Sequence, residues 1–316
     1  MESRSATVPR RVLDAPSIPM RGSLRLALWC LFAVTAGVGV FEIACRSVGI
    51  PVAARGPTPL LHCVLATTLA TLHAVHVLGP RRGAALLLTG GAVGFAAEQI
   101  GMRTGLLFGG HYVYRDGPVC LAGVPVYILC YWMVFVHVGY SLTNALLFWL
   151  GRRKPGTDGG TAPLPALVGV AALDAAVITL IDIVLDPLVT RLGWWRWPGG
   201  GSHHGVPMGN FLGWFLVVGI ASGAFRTYEC FRPLEHADRR AAAHLIPVVG
   251  YVLLAAMLVA WAFQYGLGDL AWEGIAAMGL TGAVYAGVFA RWAVRTARAR
   301  RGASPATGIR RTGPGL

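Results

Sequence analysis

Three carboxyl groups sit in stretches that are otherwise almost free of charge. Glu98 lies near the end of one apolar run, and Asp182 and Asp186 lie in another. Their spacing of four puts the two aspartates on one helical face. A charged side chain at the centre of a membrane helix costs ~2.5–3.5 kcal/mol on insertion scales, so three acids in such runs call for a reason. Proton transfer is one, because a carboxyl held away from water favours its neutral form and can then protonate a weak base. Asn210 follows in the next apolar run and is suited to holding a water molecule. Aromatic residues crowd the same stretches: Tyr112, Tyr114, Tyr127 and Trp132 around the first acid, Trp195, Trp197 and Trp214 after the second pair. Aromatic faces stabilise a cation by roughly 0.5–2 kcal/mol each. A proton donor among such faces is the equipment for making a carbocation from an alkene and holding it. The plainer reading is that the acids pair with Arg103, Arg191 or Arg196, and that Trp and Tyr form an interfacial belt. The clusters Phe108/Tyr112/Tyr114 and Trp194/Trp195/Trp197 are denser than a belt requires.

The elements that carry these residues are membrane spans. Of 316 residues, 55% are hydrophobic and 13% charged, and the mean hydropathy is +0.59. Soluble domains carry about twice that charge. Crossing a bilayer takes ~20 apolar residues in a helix, and eight runs qualify: 26–45, 58–79, 83–101, 124–150, 163–187, 208–228, 242–263 and 270–292. The expected fold is therefore all-α, a polytopic integral membrane bundle of about eight transmembrane helices. Pro187 is expected to limit the fifth just after Asp186, and the last two should form a tight hairpin around Gly266–Asp269. Residues 1–25 read as a basic cytoplasmic segment, 26–292 as the transmembrane catalytic domain and 293–316 as a basic, disordered cytoplasmic tail.

The charge pattern tests this count. The net charge of +13 would suggest nucleic acid in a soluble protein. Here 21 of the 27 basic residues, Arg226 counted among them, fall in segments assigned to one side, as the positive-inside rule requires. Both termini are then cytoplasmic, and all the intramembrane acids except Asp174 lie toward the outer ends of their helices, with Glu42 among them and Glu273 near a helix end. Asp174 sits ~18 Å along the axis from Asp186, at about 1.5 Å per residue. The basic N-terminus leads into a run too long for a signal-peptide core, so it is read as the first span. The six cysteines form no CxxC pair and suggest neither a disulfide framework nor a zinc site. The nine histidines form no HExxH motif, although His73 and His76 share a face and His203-His204 are adjacent. No P-loop, GxSxG or dinucleotide fingerprint is present. No metal and no cofactor is expected.

A repeat organises the middle of the chain. One loop ends Gly123-Val124-Pro125 and the next Gly205-Val206-Pro207, and each is followed by a tryptophan, Trp132 and Trp214, nine residues after the glycine. Each loop carries aromatic residues, and each preceding run carries an acid near its outer end. Both units point the same way, which makes this a parallel internal repeat. Gly90, Gly94, Gly101 and Gly105 flank Glu98 at helical spacing and read as a close-packing face that holds Glu98 against a neighbouring helix.

The ordered residues Glu98, Gly101, Thr104-Gly105, Phe108-Gly109, Tyr112 and Tyr114, then Gly123-Val124-Pro125 and Trp132, resemble the CruF-type family of carotenoid biosynthesis proteins. So do Asp182, Asp186-Pro187, Trp195, Trp197, Gly205-Val206-Pro207 and Asn210-Phe211-Leu212-Gly213-Trp214. The likeness is strong over residues 85–220. It implies a bacterial multi-pass membrane hydratase that adds water to the terminal C1=C2 bond of an acyclic carotenoid. Its partners would be a lipophilic polyene or terpenoid substrate, water, membrane lipid and other enzymes of that pathway, with no nucleic acid. Asp182, Asp186 and Glu98 would handle protons, a second carboxylate or Asn210 would place the water, and the Tyr and Trp residues above together with His204 would bind the substrate. The chain departs from the family pattern at His203-His204, where an aromatic residue is usual before the second Gly-Val-Pro. Two other readings use the same residues: a cofactor-independent terpene cyclase or isomerase, and a proton-coupled transporter.

Overall fold

The computed structural model describes residues 22–48, 50, 57–115, 119–152, 162–231 and 241–302. Eight helices follow one another: α1 Gly22–Ser47, α2 Pro57–Leu78, α3 Pro80–Thr104, α4 Val126–Trp149, α5 Leu164–Arg191, α6 Met208–Phe231, α7 Ala241–Gln264 and α8 Gly268–Gly302. All eight are long and apolar enough to cross a membrane, so the protein is an all-α, multi-pass bundle. A helix satisfies most of its backbone polar groups within itself, which is why helices are the workable solution in hydrocarbon. Helices α4, α5 and α6 are the most enclosed, with α3 beside them. The spans α1 and α8 are peripheral and present leucines such as Leu26 and Leu280 outward.

Three boundaries differ by four residues or more from those read in the sequence. Helix α5 does not stop at Pro187 but continues to Arg191 with the proline inside it. Proline removes one backbone donor and strains the turn before it, and the packed surroundings of α5 supply a substitute donor, described below. Helix α8 runs to Gly302, past the limit of 292, because its last turns are rich in Ala and Arg, both strong helix formers. Helix α1 begins at Gly22, inside the segment 1–25; residues 1–21 and 303–316 lie outside the described residues. The α7–α8 connection is the expected tight hairpin, with Gly266 at φ 72°.

The repeat is visible in the backbone. Helix α3 is closed by Gly105 at φ 67°, and α5 is followed by Gly193 at φ 71°. Glu98 precedes the first of these glycines by seven residues, and Asp186 precedes the second by seven. The two loops then make the same two-residue turn. Leu121 pairs with Val124 across Ala122 (φ 49°) and Gly123 (φ 87°), while His203 pairs with Val206 across His204 (φ 47°) and Gly205 (φ 89°). Two successive positive φ values define the type I′ turn, which explains the glycine at its second position. The strands β1 (Val113–Tyr114) and β4 (Trp195–Arg196) pair antiparallel, Val113 with Arg196 and Tyr114 with Trp195. This reciprocal pairing is what a two-fold axis between the units produces. Helix α3 packs on α6 as α5 packs on α4. The two parallel units are thus related by a pseudo-two-fold axis running between their acid-bearing helices.

Candidate active site

The axis brings the two acids together. Glu98 is buried on α3 and accepts from three neutral donors. The Tyr112 hydroxyl donates to Oε2, the Tyr114 hydroxyl donates to Oε2 at 2.7 Å, and the Trp132 indole donates to Oε1 at 2.9 Å. Glycines make this possible. A Cβ at Gly94 would fall on the Trp132 ring, and one at Gly101 would come within 2.7 Å of Phe108 and 3.0 Å of the Tyr112 hydroxyl. The glycine face read from the sequence is therefore what lets an indole and a phenol reach a carboxylate from the side of α3. Burial first, and then the charge of Glu98, push the phenols of Tyr112 and Tyr114 above their ordinary value, so both remain donors.

On the other side of the axis the amide of Asn210 bridges two acids. Its Nδ2 donates to Oδ2 of Asp182 at 2.9 Å and to Oδ2 of Asp186 at 2.6 Å. Both amide hydrogens are consumed, which leaves only the carbonyl oxygen of Asn210 to accept a bond from water. The carboxyls of Asp182 and Asp186 lie close to each other, and Trp214 lies near Asp186, whereas Trp132 donates to Glu98. The two tryptophans meet across the axis with ring centroids 4.5 Å apart. Among the described residues, none of these three acids pairs with Arg103, Arg191 or Arg196, the cations of the plainer reading. The acid that does find a cation is Asp174, bonded to Arg226 at 2.7 and 2.8 Å and to Ser222. Arg226, counted from the sequence among the cytoplasmic charges, is 3% exposed within α6. It marks a structural ion pair rather than a topological signal.

The acids open on a cavity of about 380 Å³. Glu98, Asp186 and Asn210 stand in its wall beside Tyr112, Tyr114, Trp132, Trp195, Trp197 and Trp214. The rings are locked edge to face: Tyr112 to Tyr114 at 5.6 Å and Tyr114 to Trp195 at 5.8 Å. Phe108 joins them with φ 61°, a strained value for a side chain of its size, held by the Trp197 indole donating to its carbonyl at 3.0 Å. Three residues expected at the site do not line the cavity. Asp182 stands behind Asp186 and reaches it through Asn210. Tyr127 packs against Trp194 at 6.0 Å. His204 occupies the outward corner of its turn and faces Glu273 at 3.4 Å.

The remaining wall was not foreseen. It is made by Phe32 and Gly39 of α1, Ala66 of α2, and Tyr251, Met257 and Trp261 of α7, which extend the cavity away from the acids as an apolar slot. Two polar pairs also border it: Glu42 with His62 at 3.0 Å, and His73 with His137 at 3.0 Å. Only the paired placement of His73 and His76 on one face hinted at the second.

A multi-pass bundle whose acids face an apolar, aromatic slot defines a membrane protein built around a lipophilic molecule. Residues 59–281 match the family described as carotenoid biosynthesis protein, and the chain belongs to that family. Over 128 residues it is 30% identical to the bisanhydrobacterioruberin hydratase of Haloarcula japonica. That match covers 40% of this chain and 39% of the relative. No solved structure matches the chain.

Proposed function

We infer that the protein is a bacterial membrane hydratase that adds water across the terminal C1=C2 bond of an acyclic carotenoid. The observation that carries this reading is the cation-free group of buried acids facing an aromatic slot. The polyene lies in the slot between α1, α2, α4 and α7, with its end group against the acids. The contacting pair shares one proton, because two ionised carboxyls at that range would repel, and Asp186, the aspartate in the cavity wall, is the one that delivers it. It gives that proton to C2. The positive charge develops on the tertiary carbon C1, facing the rings of Tyr114, Trp132 and Trp195 and the carboxylate of Glu98. Three donors hold Glu98 as the anion that offsets this charge. A water accepted by the Asn210 carbonyl attacks C1 and returns a proton to Asp186. The net addition is H to C2 and OH to C1, with no change of oxidation state.

Asp182 is a positioning group, tied to Asp186 directly and through Asn210. The relative's name states hydration of a carotenoid, which agrees with this reading. The charge pattern of the sequence puts the acid end of the bundle outside the cytoplasm and both termini inside. Expression in a bacterium that makes an acyclic carotenoid, followed by mass spectrometry of its pigments, tests the reaction. A gain of about 18 mass units per modified end is expected from addition of water. New pigments of unchanged mass would replace the hydratase reading with a cyclase or isomerase. Unchanged pigments with the protein present in the membrane would overturn both.

A further inference from the structure

Pro187 follows Asp186 directly and lies inside α5. It has no N–H, so the carbonyl of Ile183, four residues back, loses its helical partner. An unpaired carbonyl in a buried helix is costly. His203 supplies what is missing: its Nε2 lies 2.9 Å from the Ile183 oxygen. That bond requires the hydrogen on Nε2, and the lone pair is then unavailable there to a metal, although the ligand atoms of His203, His204 and Glu273 lie within 4.8 Å of one another.

The first unit makes the same tie in reverse. Gln99 occupies the position that Pro187 holds in the second unit, six residues before the closing glycine. Its side-chain amide donates to the Ala122 carbonyl at 2.9 Å, joining α3 to its turn. In one unit the helix donates to the turn; in the other the turn donates to the helix. In both the tie sits beside the acid.

We propose that His203 is a positioning residue for the Asp182–Asp186–Asn210 group, acting by replacing the backbone donor that Pro187 removes. It fixes the helical turn between the two aspartates and, through its own turn, the start of α6 that carries Asn210. For its effect on turnover this rests on the hydratase reading; the bond itself does not.

The pairing predicts a specific rescue. His203→Phe keeps a ring against Phe211, whose centroid is 5.1 Å away, but removes the donor. It should lower kcat about ten- to fiftyfold, with KM little changed, once activity is normalised to folded protein in the membrane. His203→Gln, which keeps an N–H donor, should recover most of that loss. Pro187→Ala restores the backbone N–H, so the double variant Pro187→Ala/His203→Phe should recover to within about threefold of Pro187→Ala alone. Glu273→Gln, which removes the carboxylate beside both imidazoles, should stay within about twofold of the parent.

A double variant as impaired as His203→Phe would overturn the proposal, as would full activity in His203→Phe. A large loss in Glu273→Gln would overturn it too and transfer the role to the His–Glu cluster. The same five variants are followed by thermal unfolding of the purified protein. A lower Tm in His203→Phe, restored by Pro187→Ala, supports the bond even where no carotenoid is converted, and the absence of that restoration refutes it. Failure of the hydratase reading is thereby distinguishable from failure of this one.

Discussion

Helix α5 carries buried acids of two kinds. Asp174, toward its beginning, meets Arg226 through two hydrogen bonds, with Ser222 donating a third and Asn144 accepting from the same guanidinium. Asp182 and Asp186, two and three turns later, meet a neutral amide, a nearby indole and each other, with no cation among the described residues. The acids are equally buried. What separates them is the partner. A buried carboxylate with a guanidinium is locked in one charge state and joins α5 to α6. A buried carboxyl held by neutral donors keeps its proton exchangeable. The same helix thus supplies a fixed charge for the bundle and, in the proposed reaction, a mobile proton for the slot.

The largest expected difference between the two regions is in activity. Asp186→Asn and Glu98→Gln preserve shape while removing a proton donor and an anion. Each should lower turnover by roughly 10²–10⁴-fold, the range for a positioned acid or base. Neither removes a charge that folding depends on, so Tm in detergent should move by only a few degrees. Full turnover in either variant, measured on folded protein, would break the assignment of chemistry to this end of α5. The counterpart is stability. Asp174→Ala or Arg226→Ala strands one buried charge and should cost about 3–5 kcal/mol, seen as a lower Tm and less protein in the membrane. Replacing both by apolar residues, Asp174→Leu with Arg226→Met, should recover much of that loss, and the folded fraction should turn over normally. If the apolar pair folds well but is inactive, Asp174 belongs with the catalytic acids and the comparison fails.

Much of this was legible in the sequence. All eight spans were, because length and hydropathy alone decide them. The repeat was legible because Gly-Val-Pro is forced by a turn that needs positive φ at the glycine, and because a tryptophan must lie a fixed distance beyond to reach the axis. Glu98, Asp186 and their aromatic neighbours stood out as polar or ring-bearing groups in apolar runs. The partner of Asp174 did not, since Arg226 lies near the end of its span, where position alone cannot separate a buried cation from a cytoplasmic one. The slot wall from α1 and α7 was equally hidden. In helices that are apolar all round, no periodicity distinguishes Phe32 or Met257, which face the cavity, from residues that face lipid. The stop expected at Pro187 went wrong for a tertiary reason, because the donor that keeps α5 intact comes from His203, twenty residues on.

The finest test uses the pseudo-two-fold axis itself. Trp132 and Trp214 are equivalent in the two units, and each stands against the acid of its own unit. Their acids do different work in the proposed reaction. Asp186 is neutral in the resting site and becomes an anion as the proton leaves. The indole beside Asp186 therefore comes to donate to an anion only in the transition state, and only interactions that strengthen there raise kcat. In that scheme Glu98 stays an anion from start to finish, so a donor to it acts nearly alike on the ground and transition states. Phenylalanine at either position keeps a ring in the slot and removes the N–H. A hydrogen bond of this kind is worth about 1 kcal/mol net. Trp214→Phe should then lower kcat roughly fivefold, and Trp132→Phe about twofold or less, both measured by single-turnover conversion in liposomes. Equal losses would mean that the two acids share one role across the axis. A larger loss in Trp132→Phe would make Glu98 the proton donor and Asp186 the anion that faces the cation.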